Sequence, residues 1–201
     1  MKKSILALTV ISLSSTALAN DYAGWRIGAG ATTGLESDVG KMSAQPRLEV
    51  GYDFNRVFSL NGYAHGLNNK TVSDSYLVRD VPEAAIGEAS LNGWRAGIEA
   101  EVGYAFDVGV VDIKPYATLG VATQGGELRY NYIDTDGQHI LNDIEGGVEK
   151  LGGAALTGAL GVRVNTPIGI YVDTRIERAP FKKSSVMKDN TQGTVMVGFK
   201  F

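Results

Sequence analysis

A chain of 201 residues, 44% hydrophobic and 20% charged, with 26 glycines and 5 prolines, is long enough for one substantial domain and too apolar to be disordered. It contains no cysteine, which excludes disulfides and thiolate metal sites, and its net charge of −3 offers no field that would gather nucleic acid. No nucleic-acid partner is therefore expected.

The chain opens on Lys2 and Lys3, an apolar run over residues 5–13, and the small-residue site Ala17-Leu18-Ala19. These are the three parts of a secretory signal peptide, so residues 1–19 are expected to be removed and residues 20–201 to form the mature domain. The apolar run is too short to cross a bilayer as a helix, which takes about 20 residues. Export from a prokaryotic cell leaves the periplasm, the outer membrane or the medium as destinations.

From Trp25 onward the hydrophobic period is two, the period of a strand. Trp25, Ile27, Ala29 and Ala31 alternate with Arg26, Gly28 and Gly30. A second strand sets Leu48, Val50, Tyr52 and Phe54 against Arg47, Glu49, Gly51 and Asp53, and a third sets Phe58, Leu60 and Gly62 against Ser59, Asn61 and Tyr63. The fourth carries Trp94, Ala96, Ile98, Ala100, Val102, Tyr104 and Phe106 on one face, with Arg95, Gly97, Glu99, Glu101 and Gly103 on the other. The fifth runs from Ile113 to Val121 with Lys114 and Tyr116 opposed to Ala117 and Leu119, and Pro115 marks an irregular start. The sixth and seventh set Leu160, Val162 and Val164 against Gly161 and Arg163, then Ile170, Val172 and Ile176 against Tyr171, Asp173, Arg175 and Glu177. The last alternates Val195, Val197, Phe199 and Phe201 with Thr194, Met196, Gly198 and Lys200.

Eight strands result, with short connections after the second, fourth and sixth and long ones over about 33–43, 66–90, 124–155 and 178–191. An even strand number with short turns at one end and long loops at the other is the layout of a transmembrane β-barrel with both termini in the periplasm. A water-soluble barrel alternates too, but turns its apolar face inward. Here the polar face mixes glycine with Arg and Glu, which suits a narrow interior better than a wet exterior. That interior would hold Arg26, Arg47, Arg95, Lys114, Arg163, Arg175 and Lys200 against Glu49, Asp53, Glu99, Glu101, Asp173 and Glu177, a nearly balanced lumen charge network. Tyr52, Phe54, Phe58, Tyr104, Phe106, Phe199 and Phe201 gather at the short-turn end, as in a periplasmic aromatic girdle.

The segments LEVGYDF, AEVGYAF, PYATLGVA and DTRIERA and the terminal GTVMVGFKF carry a resemblance to the OmpA/OmpX-like small outer-membrane β-barrels, from Trp25 to Phe201. The resemblance implies an all-β, eight-stranded antiparallel up-and-down transmembrane β-barrel in the outer membrane of a Gram-negative cell. It also implies that Val195, Val197, Phe199 and Phe201 form the signal read by the barrel-assembly machinery, a partner during insertion. Where the family has an inward lysine on its fourth strand and a glutamate on its sixth, this chain has Glu101 and Arg163, so the pair would survive with reversed sign if the two meet across the lumen.

Catalytic constellations fail on spacing. His65 would need a serine two residues on for deacylase-type chemistry, and Leu67 stands there. His139 lacks the carboxylate partners and the larger barrel of an omptin-like protease. Asp134, Asp136 and Glu145 occupy places of a calcium loop whose sixth place holds His139 instead of glycine. No enzyme activity, cofactor or metal site is expected. The third long loop is acidic, but Tyr130, Tyr132, Ile133, Ile140, Leu141 and Ile144 make it apolar enough to form an ordered hairpin above the membrane. The fourth is basic, with Arg178, Lys182, Lys183 and Lys188 forming an anionic-ligand loop for lipopolysaccharide phosphates or a sulfated host polysaccharide. The expected protein is a monomer in contact with outer-membrane lipid and lipopolysaccharide, displaying four loops, structural and open to adhesion at the host surface. The alternative is a narrow pore for ions or small solutes.

Overall fold

The computed structural model describes residues 22–37, 43–69, 76–78, 81–134, 147–180 and 190–201. Ten strands follow in chain order: β1 (Gly24–Ser37), β2 (Gln45–Asp53), β3 (Phe58–Asn69), β4 (Tyr76–Val78), β5 (Val81–Gly103), β6 (Phe106–Val108), β7 (Val111–Asp134), β8 (Gly147–Asn165), β9 (Ile170–Arg178) and β10 (Asn190–Lys200). Antiparallel pairing runs β5-β3-β2-β1-β10-β9-β8-β7, and the β5–β7 ladder closes the ring. Eight strands therefore form the wall. Among the described residues β4 pairs with the outer part of β5 alone, and β6 continues β5 into the hairpin with β7.

The break between β5 and β6 has a backbone cause. Gly103 pairs with Tyr116 on one side of it and Phe106 with Ile113 on the other, in the same register, so Tyr104 faces Pro115. Proline has no N–H to give, and the ladder lapses there. Two of the short turns use a left-handed glycine, Gly109 and Gly169, at φ of 67° and 85°.

The faces are distributed as in a lipid-embedded barrel. Ile27, Leu48, Ile98, Leu119, Leu160 and Val197 are exposed on the outside, Leu160 at 70%. Arg26, Arg47, Arg95, Lys114 and Arg163 are 0–1% exposed on the inside. A belt of this kind is stable only where hydrocarbon surrounds it, because apolar surface left in water costs about 25 cal/mol per Å². Its height fits as well. Trp94 and Phe106 share the outward face of β5 and β6 and are about half exposed. They stand roughly 40 Å apart along the strand, or about 30 Å along the barrel axis at a tilt near 40°.

The strands run further outward than the alternation suggests. The expected connections over 66–90 and 124–155 are largely strand: β3 continues to Asn69, β5 begins at Val81, and β7 and β8 pair as far as Tyr130 with Gly147. Above Trp94 the polarity of the two faces inverts. Leu67, Leu91, Leu128 and Leu151 point inward and are 0–5% exposed, while Asn68, Asn92, Arg129 and Lys150 point outward and are exposed. Outside hydrocarbon the ordinary rule returns, with polar residues toward water and apolar ones toward the interior. The tip of the third loop, with Asp136, His139 and Glu145, lies outside the described residues, as do residues 1–19 of the expected signal peptide.

Candidate functional site

The interior is the densest chemical constellation of the fold. It is built by the inward half of every strand, and inward glycines make room for long side chains. A Cβ on Gly161 would meet the Tyr116 ring at 2.5 Å, and one on Gly51 would run into Asn61 Oδ1.

Near the periplasmic mouth, Lys200 Nζ lies 2.8 Å from Asp53 and donates at 2.6 Å to the main-chain oxygen of Tyr22. Arg26 donates to Asp53 at 3.0 Å and to Asn61 at 2.7 Å. One layer up, Arg163 donates two hydrogen bonds to Glu101, at 3.0 and 2.6 Å, and a third to Asp173 at 3.0 Å. Glu101 is also 2.9 Å from Lys114, and Asp173 accepts from Tyr116 at 2.7 Å. At mid-height Arg175 joins Glu49 and Glu99. Above it, Arg47 donates to Glu177 at 2.8 Å while lying over the Tyr63 ring at 3.9 Å, and Tyr63 donates to the same carboxylate. Arg95 donates to Gln124 at 2.8 Å and to the Ala179 carbonyl at 3.1 Å.

All thirteen charged residues assigned to the lumen from the alternation therefore lie on the inner face, and twelve are buried, Lys200 being half-buried at the mouth. Glu101 and Arg163 meet directly. The network also recruits groups that charge alone did not single out: Ser59, Asn61, Tyr63, Tyr116 and Gln124. Their inward register was legible, but their role in filling hydrogen bonds was not.

Two ends of the lumen are covered by residues the sequence reading passed over. Tyr22 is buried in the periplasmic mouth, its hydroxyl accepting from Asn165 at 2.8 Å and Lys200 Nζ lying 3.5 Å from its ring centroid. Burial pushes its phenol above the ordinary tyrosine range. At the outer end stand the four inward leucines. On the periplasmic turns, Arg56 donates to Asp107 at 2.7 Å and lowers its pKa, whereas burial and the neighbouring Asp107 raise that of Asp112.

His65 lies in the outer half of β3. It faces the lumen at 4% exposure, stacked on Tyr63, with Nδ1 hydrogen-bonded to the Gly66 carbonyl, and Leu67 beyond it is buried. On the outside, Val195, Val197, Phe199 and Phe201 form one exposed row. Phe201 exchanges two 2.9 Å backbone hydrogen bonds with Trp25, so the last residue seams the barrel to its first strand. Trp25 adds itself to the lower girdle by an edge contact with Tyr52 at 5.1 Å. Arg178 is exposed on the outer face at the end of β9, and Lys182, Lys183 and Lys188 lie outside the described residues.

Comparison with known proteins places these features. The model of the outer membrane protein beta-barrel domain matches residues 4–201. No curated protein matches the sequence. Among solved structures, the N-terminal barrel of Pseudomonas aeruginosa OprF aligns with a TM-score of 0.54 at 13% identity, over 89% of this chain and 97% of that one. Neisserial surface protein A aligns at 0.51 and 14%, over 89% and 95%. Ail of Yersinia pestis, solved in complex with the heparin analogue sucrose octasulfate, aligns at 0.50 and 14%, over 89% and 97%. At these identities the likeness is one of fold.

Proposed function

Because this chain belongs to the outer membrane protein β-barrel family, we propose that it is a closed, non-enzymatic outer-membrane protein whose role is structural and adhesive at the cell surface. The observation that carries this reading is the interior: buried charged side chains joined in a network, with Tyr22 at one mouth and apolar side chains toward the other, argue against a continuous water path. A narrow pore would need such a path. The outward extension of β5, β7 and β8 supports display of the loops well clear of the lipid.

The ligand reading rests on charge. Arg178, Lys182, Lys183 and Lys188 fall within eleven residues of the sequence, and a run of cations this dense suits a sulfated glycan. Ail, of the same fold, is known bound to a sulfated sugar. The signal peptide over 1–19, the monomeric state and recognition of Val195, Val197, Phe199 and Phe201 by the assembly machinery complete the proposal. The test is binding of heparin-like glycans by cells displaying the intact protein or a variant with loops three and four trimmed, insertion being checked in both. Loss of binding on trimming supports adhesion; equal, negligible binding refutes it.

A further inference from the structure

The inward residues nearest the periplasm on β6, β7 and β8 make a polar row at that mouth. Asp107 on β6 stands directly opposite Asp112 on β7, and Asp112 directly opposite Asn165 on β8. The face is the inner one, since Lys114 and Arg163, one inward step further along β7 and β8, are buried in the lumen. None of the three residues belongs to the charge network above.

Directly opposite residues of an antiparallel pair have Cβ atoms about 5 Å apart. Here the two carboxyls come close enough to hydrogen-bond each other through one shared proton. Two carboxylates so placed repel, and positive charge between them relieves the repulsion. The cations of the mouth are engaged elsewhere: Arg56 donates to Oδ2 of Asp107 at 2.7 Å, and Lys200 is held by Asp53 and the Tyr22 main-chain oxygen.

Asn165 adds a neutral acceptor. It is 7% exposed, and its Oδ1 accepts no hydrogen bond from the described residues. Its Nδ2 donates to the Tyr22 hydroxyl at 2.8 Å, and the charge on Asp112 helps to raise the pKa of the same hydroxyl. The amide and the carboxyl therefore flank one phenol. A buried amide oxygen without a donor is uncommon in a native interior. A metal ion satisfies it and, in the same place, the two carboxyls beside it.

From these three oxygen sources we propose a site for one divalent cation of the calcium class at the periplasmic mouth, held by Asp107, Asp112 and Asn165 with water completing the shell. Carboxylate and amide oxygens are the ligands that such a hard cation takes, and calcium tolerates an irregular, partly hydrated set. The ion ties the β6–β7 turn to β8 beside Tyr22, so it braces the mouth that this tyrosine covers. The site lies at the opposite end of the barrel from the displayed loops and does not depend on a surface ligand.

Terbium luminescence tests the site, because the Tyr22 phenol stands beside it and can sensitise a bound lanthanide. The protein is treated with chelator and titrated in phosphocholine micelles free of lipopolysaccharide. The expected result is saturation at one terbium per barrel, with displacement by calcium half-complete on the order of 1 mM and magnesium acting more weakly. Asp112→Asn should weaken calcium binding by about ten-fold or more, and Asn165→Asp, which adds a third carboxylate, should strengthen it by about as much. Urea midpoints in chelator check that each variant folds. Calcium should raise the midpoint of the native protein and leave that of Asp112→Asn in place. Luminescence without saturation at one site, calcium binding unchanged in Asp112→Asn, or Asn165→Asp binding no more tightly than the native protein would each overturn the assignment.

Discussion

Replacing Glu101 by glutamine keeps the size of the side chain and removes one charge from the centre of the network. Glu101 accepts both Arg163 hydrogen bonds, lies 2.9 Å from Lys114 and 3.7 Å from Arg26, and is fully buried. Around it the lower half of the lumen holds Arg26, Lys114, Arg163 and Lys200 against Asp53, Glu101 and Asp173, so the substitution leaves four cations facing two carboxylates. Breaking a buried pair by removing one partner costs about 3–5 kcal/mol, because the remaining charge stays desolvated. Glu101→Gln should therefore destabilise the barrel by about that amount in urea titrations in lipid vesicles, read from the fluorescence of the lipid-facing Trp25 and Trp94. The same loss should follow Arg163→Met, and the double variant should cost less than the sum of the two, with a coupling of about 2 kcal/mol or more. A single-variant cost below about 1 kcal/mol, or additive singles, would refute the view that this pair holds the lumen together. Planar-bilayer conductance of Glu101→Gln should remain at the native level, since the mouths are covered independently of the pair.

Three further outcomes follow from named contacts. Tyr22→Ala removes the ring over Lys200 and the acceptor of Asn165; it should admit a water-soluble cysteine reagent to a Lys200→Cys probe from the periplasmic side, and unchanged protection would disprove the stopper role. Leu128→Ala opens space among the inward leucines and should cost about 2–5 kcal/mol in the same urea assay, though the site lies above the lipid; a neutral result would mean that the outer strand extensions do not share the core's stability. Asp112 has its pKa raised by burial and by Asp107, so its contribution to stability falls as pH rises through its own titration. Asp112→Asn should be more stable than the native protein at pH 7 and converge with it below the carboxylate range, and the opposite trend across a pH series of urea midpoints would contradict the assignment.

Much of this protein was legible without coordinates, because hydrocarbon enforces a simple code. Inside the lipid band a strand must show apolar residues outward at every second position, and a lumen eight strands wide admits only side chains that neutralise one another. The eight wall strands, their inward charges and the lower girdle follow from that period alone. Where the lipid ends, the code inverts: Asn68, Asn92 and Lys150 turn outward and Leu67, Leu91 and Leu151 inward, a pattern that reads as loop when outward apolar residues are sought. That is why β3, β5, β7 and β8 are longer than the alternation suggested. The partners inside the lumen were not legible either. A side chain's face is set by its parity along one strand. Its partner is set by strand tilt and register across the closed barrel, which bring Arg163 to Glu101 from 62 residues away, Arg47 to Glu177 from 130, and Tyr22 to Lys200 from 178. Parity is a local property that the sequence carries by itself; tilt and closure exist only once all eight strands have met.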